Sequence, residues 1–93
     1  MIMDAKDLVT FEAVARLGGM GRAAHELNTV QSNVTQRVRR LEEALGVALF
    51  ERSRAGARLT RAGERLMPYA ARVGALLAEA SRAARDDGTP LGT

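Results

Sequence analysis

The segment TVQSNVTQRVRRLEEALG, from Thr29 to Gly46, leaves few options for the chain that contains it. On a helix turning about 100° per residue, with Val34 at zero, Val30, Val34, Val38, Leu41 and Leu45 lie within about 40° of one line. The spacing predicts a helix over about 30–45 that buries this stripe, with Thr29 as its N-cap and Gly46 as its stop. The far side, an arc from about 60° to 200°, carries Gln31, Ser32, Thr35, Gln36 and Arg39. Only Arg39 among them is charged. An ordinary solvated face would mix both signs, yet no acid lies between Val30 and Arg40, where Arg37, Arg39 and Arg40 all stand. Amides and hydroxyls suit base edges in a major groove, and the flanking arginines suit phosphates.

The neighbouring segments agree with that use. Leu8, Phe11, Val14 and Ala15 recur at helical spacing, with Asp4 placed to cap and Gly18-Gly19 to end a first helix. A second, short helix is expected over about 21–27, with Ala23, Ala24 and Leu27 inside, followed by a turn at Asn28, which tolerates the left-handed region. Small residues, a turn residue and then Val34 with Val38 are what a helix-turn-helix requires. After Gly46, VALFER and RLT read as two short strands around the loop SRAGA. Arg52, Arg54 and Arg58 make this hairpin a basic wing, Arg54 nearest the tip and suited to a narrow minor groove, Arg52 and Arg58 to phosphate.

From Thr60 to about Arg85 the chain is rich in strong helix formers. Leu66, Ala70, Val73, Leu77, Ala80 and Ala84 are separated by 4, 3, 4, 3 and 4 residues, a seam read as a dimer interface. A bend is expected at Pro68, which has no N–H to donate. The fold class is therefore mostly α: a winged helix-turn-helix of three helices and a short β-hairpin wing over 1–59, then a long dimerisation helix over 60–85. The polar tail at 86–93 reads as a hinge toward a further domain. Two such modules about a two-fold axis would read a palindrome on double-stranded DNA.

Composition narrows the alternatives. Of 14 basic residues only Lys6 is lysine, and the net charge is +3. Arginine's planar fork suits phosphate and guanine. The absence of cysteine removes thiolate metal sites and disulfides, and three aromatics (Phe11, Phe50, Tyr69) are too few for a single-strand stacking platform. No signal sequence or membrane-length apolar run is visible, so a cytoplasmic protein without a membrane partner is expected. Catalysis finds no support: His25 stands alone, Glu42 and Glu43 diverge by about 100° on a helix, and no phosphate loop or nucleophile–base pair appears. The rival is a dimeric helical protein-interaction module whose basic face is merely solvated.

On these residues the chain resembles the DNA-binding half of LysR-type transcriptional regulators, from Met3 to about Ala84. MDAKDLVTFEAVARLGG is similar to the first helix of that family, GRAAHELNTVQSNVTQRVRRLEEALGVALFER to its helix-turn-helix and wing, and RLTRAGERL to the LT-x-AG entry of its linker helix. The resemblance implies a bacterial regulator with a C-terminal effector domain that binds a small molecule, no cofactor in this segment, antiparallel pairing through the long helix, and tetramers at full length. It places base reading on Gln31, Ser32, Thr35 and Gln36, with Arg52 and Arg54 in the wing. Backbone contacts are assigned to Arg22, Thr29, Asn33, Arg37, Arg39, Arg40, Arg52 and Arg58. The chain departs from the pattern at Gly19-Met20-Gly21, where a capping hydroxyl is usual, and at Val30-Gln31-Ser32, where Ser-Gln-Pro is common.

Overall fold

The computed structural model of the chain describes residues 3–53 and 56–85. Helices α1 (Ala5–Leu17), α2 (Met20–Glu26) and α3 (Gln31–Leu45) are followed by strands β1 (Phe50–Ser53) and β2 (Gly56–Leu59) and by helix α4 (Arg61–Arg85). Local chemistry sets most boundaries. The Asp4 carboxylate accepts from Lys6 N at 2.8 Å, and Gly18 closes α1 at φ 78° with its N–H on the Val14 carbonyl. Asn28 makes the turn between α2 and α3 at φ 58°, and Gly46 ends α3 at φ 71°.

The start of α3 corrects the sequence reading. Val30, extended at φ −97° and ψ 154°, is the N-cap, and no side chain caps the helix. Thr29 instead accepts the Asn33 Nδ2 donor on its Oγ1 at 3.0 Å. Because Val30 precedes the helix, the 100° progression does not carry it into the stripe, and it is 64% exposed. Val34, Val38 and Leu41 are buried as expected.

The core gathers Leu8, Phe11 and Val14 from α1, Ala23 and Ala24 from α2, the α3 stripe, and Leu49 with Phe50 at the wing's root. The strands pair antiparallel, Phe50 with Leu59 and Ser53 with Gly56. Ala57 N donates to the Gly18 carbonyl at 3.2 Å, so the wing leans on the end of α1. Gly56, at φ 120°, lies so close to that carbonyl that a Cβ would overlap it.

Helix α4 runs through Pro68 as one element, and its first half belongs to the protomer's own core. Ala70 is fully buried, and Leu66 and Val73 pack against the core cluster. Ala70 is therefore closed to a partner, while Leu66 and Val73 keep only part of their surface for one. The 4-3 spacing is common to any helix with one buried stripe, and here α1 covers its beginning. Leu77, Ala80 and Ala84 remain exposed, with Leu76 (62%) beside them. No helix among the described residues is long and apolar enough to cross a membrane.

Candidate nucleic-acid interface

Gln31, Ser32, Thr35, Gln36 and Arg39 line one shallow concavity on the outer face of α3. Thr35 is half-buried and the other four are exposed. The same face continues into a cleft toward the wing, bounded by Met20, Gln31, Thr35, Arg39, Ser53 and Gly56, with Glu42 as the one acid in its lining. Among the described residues Arg39 makes no ion pair, so its charge is available on that face. Gly21 makes room for Gln31: a Cβ there would stand 3.3 Å from Gln31 Oε1. The departure from the family pattern at position 21 thus bears on how Gln31 is presented.

The wing is fixed to α3 by a residue that sequence reasoning treats only as a poor catalytic candidate. Glu42 Oε2 accepts from Leu49 N at 2.7 Å and from Phe50 N at 3.4 Å, satisfying the chain where it enters β1. The same turn is closed by Thr60. Its N–H donates to the Leu49 carbonyl at 3.0 Å, its hydroxyl donates to Ala48 O at 2.7 Å, and that hydroxyl accepts from Gly63 N at 3.1 Å, capping α4.

Not every predicted contact residue shares this face of α3. Arg37 and Arg40 lie on the opposite flank of α3 and are held by Asp7 of α1. Asp7 Oδ1 accepts from Arg37 Nη1 at 3.3 Å and from Arg40 Nη2 at 2.9 Å, and Oδ2 accepts from Arg40 Nε at 3.0 Å. Asp7 is 3% exposed. Thr29 and Asn33 are half-buried and bonded to each other. Arg22 is exposed, with Nη1 on the Leu17 carbonyl at 3.2 Å. Arg58 is exposed on β2, opposite Glu51. Arg52 is described only as a backbone position of β1, opposite Ala57. Arg54 and the hinge at 86–93 lie outside the described residues. No group of three metal-ligating side chains occurs among the described residues.

The hydrogen-bonded Arg40 guanidinium holds the Asp7 carboxyl below the usual carboxylate range, against burial, which pushes it up, and with help from Arg37. A lowered folded-state value stabilises the fold above the unfolded carboxylate pKa of about 3.9, and that contribution is lost as pH falls through the folded value. Melting temperature measured from about pH 6 down to pH 2 is expected to fall along an acid limb that Asp7→Asn flattens. An equally steep limb in the variant would show that other groups produce it.

The acid-free polar face at the exposed N-terminal part of α3, beside a docked hairpin, is the geometry of a winged helix-turn-helix. The model of the bacterial regulatory helix-turn-helix protein, lysR family, matches residues 5–64. The chain belongs to the LysR family. It is 49% identical over 90 residues to the HTH-type transcriptional regulator YofA of Bacillus subtilis (strain 168), covering 97% of this chain and 32% of YofA. It is 53% identical over 68 residues to the HTH-type transcriptional regulator HdfR of Escherichia coli O139:H28, covering 73% of this chain and 24% of HdfR. The chain therefore spans about a third or less of these curated relatives. Among solved structures it is similar to the CbnR DBD–DNA complex, with TM-score 0.79 and 36% identity over 94% of this chain and 100% of that one. In this LysR-family chain the LT-x-AG stretch, Leu59 to Gly63, joins the wing to α4 through the bonds of Thr60.

Proposed function

We propose that this chain is the segment of a dimeric bacterial transcriptional regulator that reads double-stranded DNA by sequence, with the N-terminal part of α3 in the major groove and the wing along the minor groove. One observation carries the reading: Gln31, Ser32, Thr35, Gln36 and Arg39 form a single concavity on α3, with amides and hydroxyls and no acid. Gln31 and Gln36 have the bidentate geometry for adenine, Ser32 and Thr35 serve either partner, and the Thr35 methyl suits thymine. Arg39 supplies a phosphate contact, Arg22, Thr29, Asn33 and Arg58 flank the groove, and Arg52 and Arg54 belong to the wing's share. The similarity to a domain solved with DNA supports this reading over a protein-interaction module.

In the same reading the exposed part of α4, with Leu77, Ala80 and Ala84, pairs with a second copy, and the pair reads a palindromic operator in the cytoplasm of a bacterium. The longer protein would bind a small-molecule effector outside this segment and assemble as a tetramer.

Selection from a random duplex library followed by a salt series tests the proposal. Gln31→Ala is expected to shift the selected motif at one or two positions, a loss of about 1–3 kcal/mol of discrimination there. Arg39→Ala is expected to weaken all sequences alike and to reduce the slope of log K against log salt by about 0.9. An unchanged motif for Gln31→Ala would remove Gln31 from the reading face. A wild-type chain with no salt-dependent affinity for duplex DNA would favour the interaction module.

A further inference from the structure

We propose that Asp7 is a positioning residue that withholds Arg37 and Arg40 from DNA phosphates, setting a brake on the sequence-independent part of the domain's affinity. The inference rests on the DNA-reading proposal above. Helix α3 carries three arginines within four positions, but the structure divides them. Arg39 lies about 40° from Thr35 around the helix axis and shares the concavity with the reading residues. Arg37 and Arg40 lie about 160° and 140° from Thr35, on the flank that α1 occupies with Asp7.

The grip on this flank is close to complete. Arg40 presents Nε and Nη2 as a fork to both oxygens of Asp7, and Arg37 adds Nη1 to one of them. Asp7 is buried with both arginines in place, so a guanidinium that leaves it gives up a formed charge-assisted bond. For either arginine to reach a phosphate it must first give up its bonds to the Asp7 carboxylate, so Asp7 competes with phosphate for both. Both arginines keep a route to solvent, since their side chains are 26% and 55% exposed. The restraint therefore lies in Asp7, not in steric enclosure of the guanidinium groups. Removing the carboxylate while keeping a polar side chain of the same shape would release them.

Each arginine that reaches a phosphate adds affinity without adding sequence information. Asp7→Asn is expected to bind both selected and random duplexes roughly three- to tenfold more tightly at low salt, with a slope steeper by about 0.9 to 1.8 and the same selected motif. Arg40→Gln in the Asp7→Asn background should remove at least part of that gain. In the wild-type background Arg40→Gln should flatten the slope by less than half of what Arg39→Gln does. If wild type binds duplex DNA and Asp7→Asn, still folded by its melting curve, shows an equal or shallower slope, the brake does not exist. Should Asp7→Asn fail to fold, the Arg40→Gln and Arg39→Gln comparison decides alone, because Arg37 still pairs Asp7 in the former. Equal flattening by those two variants overturns the proposal. Absence of duplex binding by wild type is a separate failure, that of the DNA-reading proposal.

Discussion

Phe11→Ala is expected to remove about 3–5 kcal/mol of folding stability. The total for a domain of this length is only about 5–14 kcal/mol at roughly 0.05–0.15 kcal/mol per residue, so the loss takes a large share of it. Phe11 is fully buried at the centre of α1, and its ring centroid lies 5.4 Å from that of Phe50 at an interplanar angle of 48°. Truncation opens a void among α1, α3 and the root of the wing, and it also ends an aromatic contact of about 0.5–1.5 kcal/mol. The wing depends on this pair more than α2 does, because Phe50 begins β1. Urea denaturation should show the midpoint falling sharply, while Phe11→Leu, which keeps most of the volume, loses much less. A loss below about 1 kcal/mol for Phe11→Ala would mean that the site collapses around the missing ring.

Much of this fold is legible in the sequence because its boundaries are made by neighbours in sequence. Asp4, Gly18, Asn28 and Gly46 act within a few residues of themselves, and each sits where the residue types demand. The polar face of α3 is legible for a different reason: an acid-free arc is a property of one helix and needs no knowledge of what lies opposite. Contact at a distance is what the string of letters hides. Asp7 lies 30 and 33 positions from Arg37 and Arg40, and in sequence it is only an acid near the N-terminus. Glu42 looks like a surface glutamate until the chain returns and places Leu49 N and Phe50 N against it.

The α4 seam is legible only in part, for a related reason. Period fixes that a helix has an apolar stripe, but it is silent on what covers the stripe. Leu66, Ala70 and Val73 meet their own core, Ala70 completely and the other two in part, and the exposed apolar residues lie further along, Leu76 and Leu77 among them. Wing, α3 and α4 are thereby linked within one protomer: Glu42 ties α3 to the chain entering β1, and Thr60 ties that same stretch to the first turn of α4. A movement of α4 would be felt at the wing through these direct hydrogen bonds.

The same substitution at two glycines of α4 is therefore expected to act with opposite sign. Gly74 has nothing within 4 Å of where a Cβ would stand, so Gly74→Ala should stabilise the chain by about 0.5–1 kcal/mol through helix propensity alone. Gly63 gains the same propensity but has no space. A Cβ there would stand 2.7 Å from Leu59 Cδ2 and would overlap the Leu49 carbonyl oxygen, and that oxygen is fixed by the Thr60 N–H at 3.0 Å. A flexible side chain could move aside; a backbone carbonyl already bonded into the wing–α4 joint cannot do so without opening it. Gly63→Ala should thus cost about 3 kcal/mol, the upper part of the range for overpacking, which outweighs the propensity gain. Thermal melts of the two variants beside wild type decide the matter. If Gly63→Ala melts at or above wild type, α4 and the wing are not in the close contact described, and the coupling between them loses its physical basis.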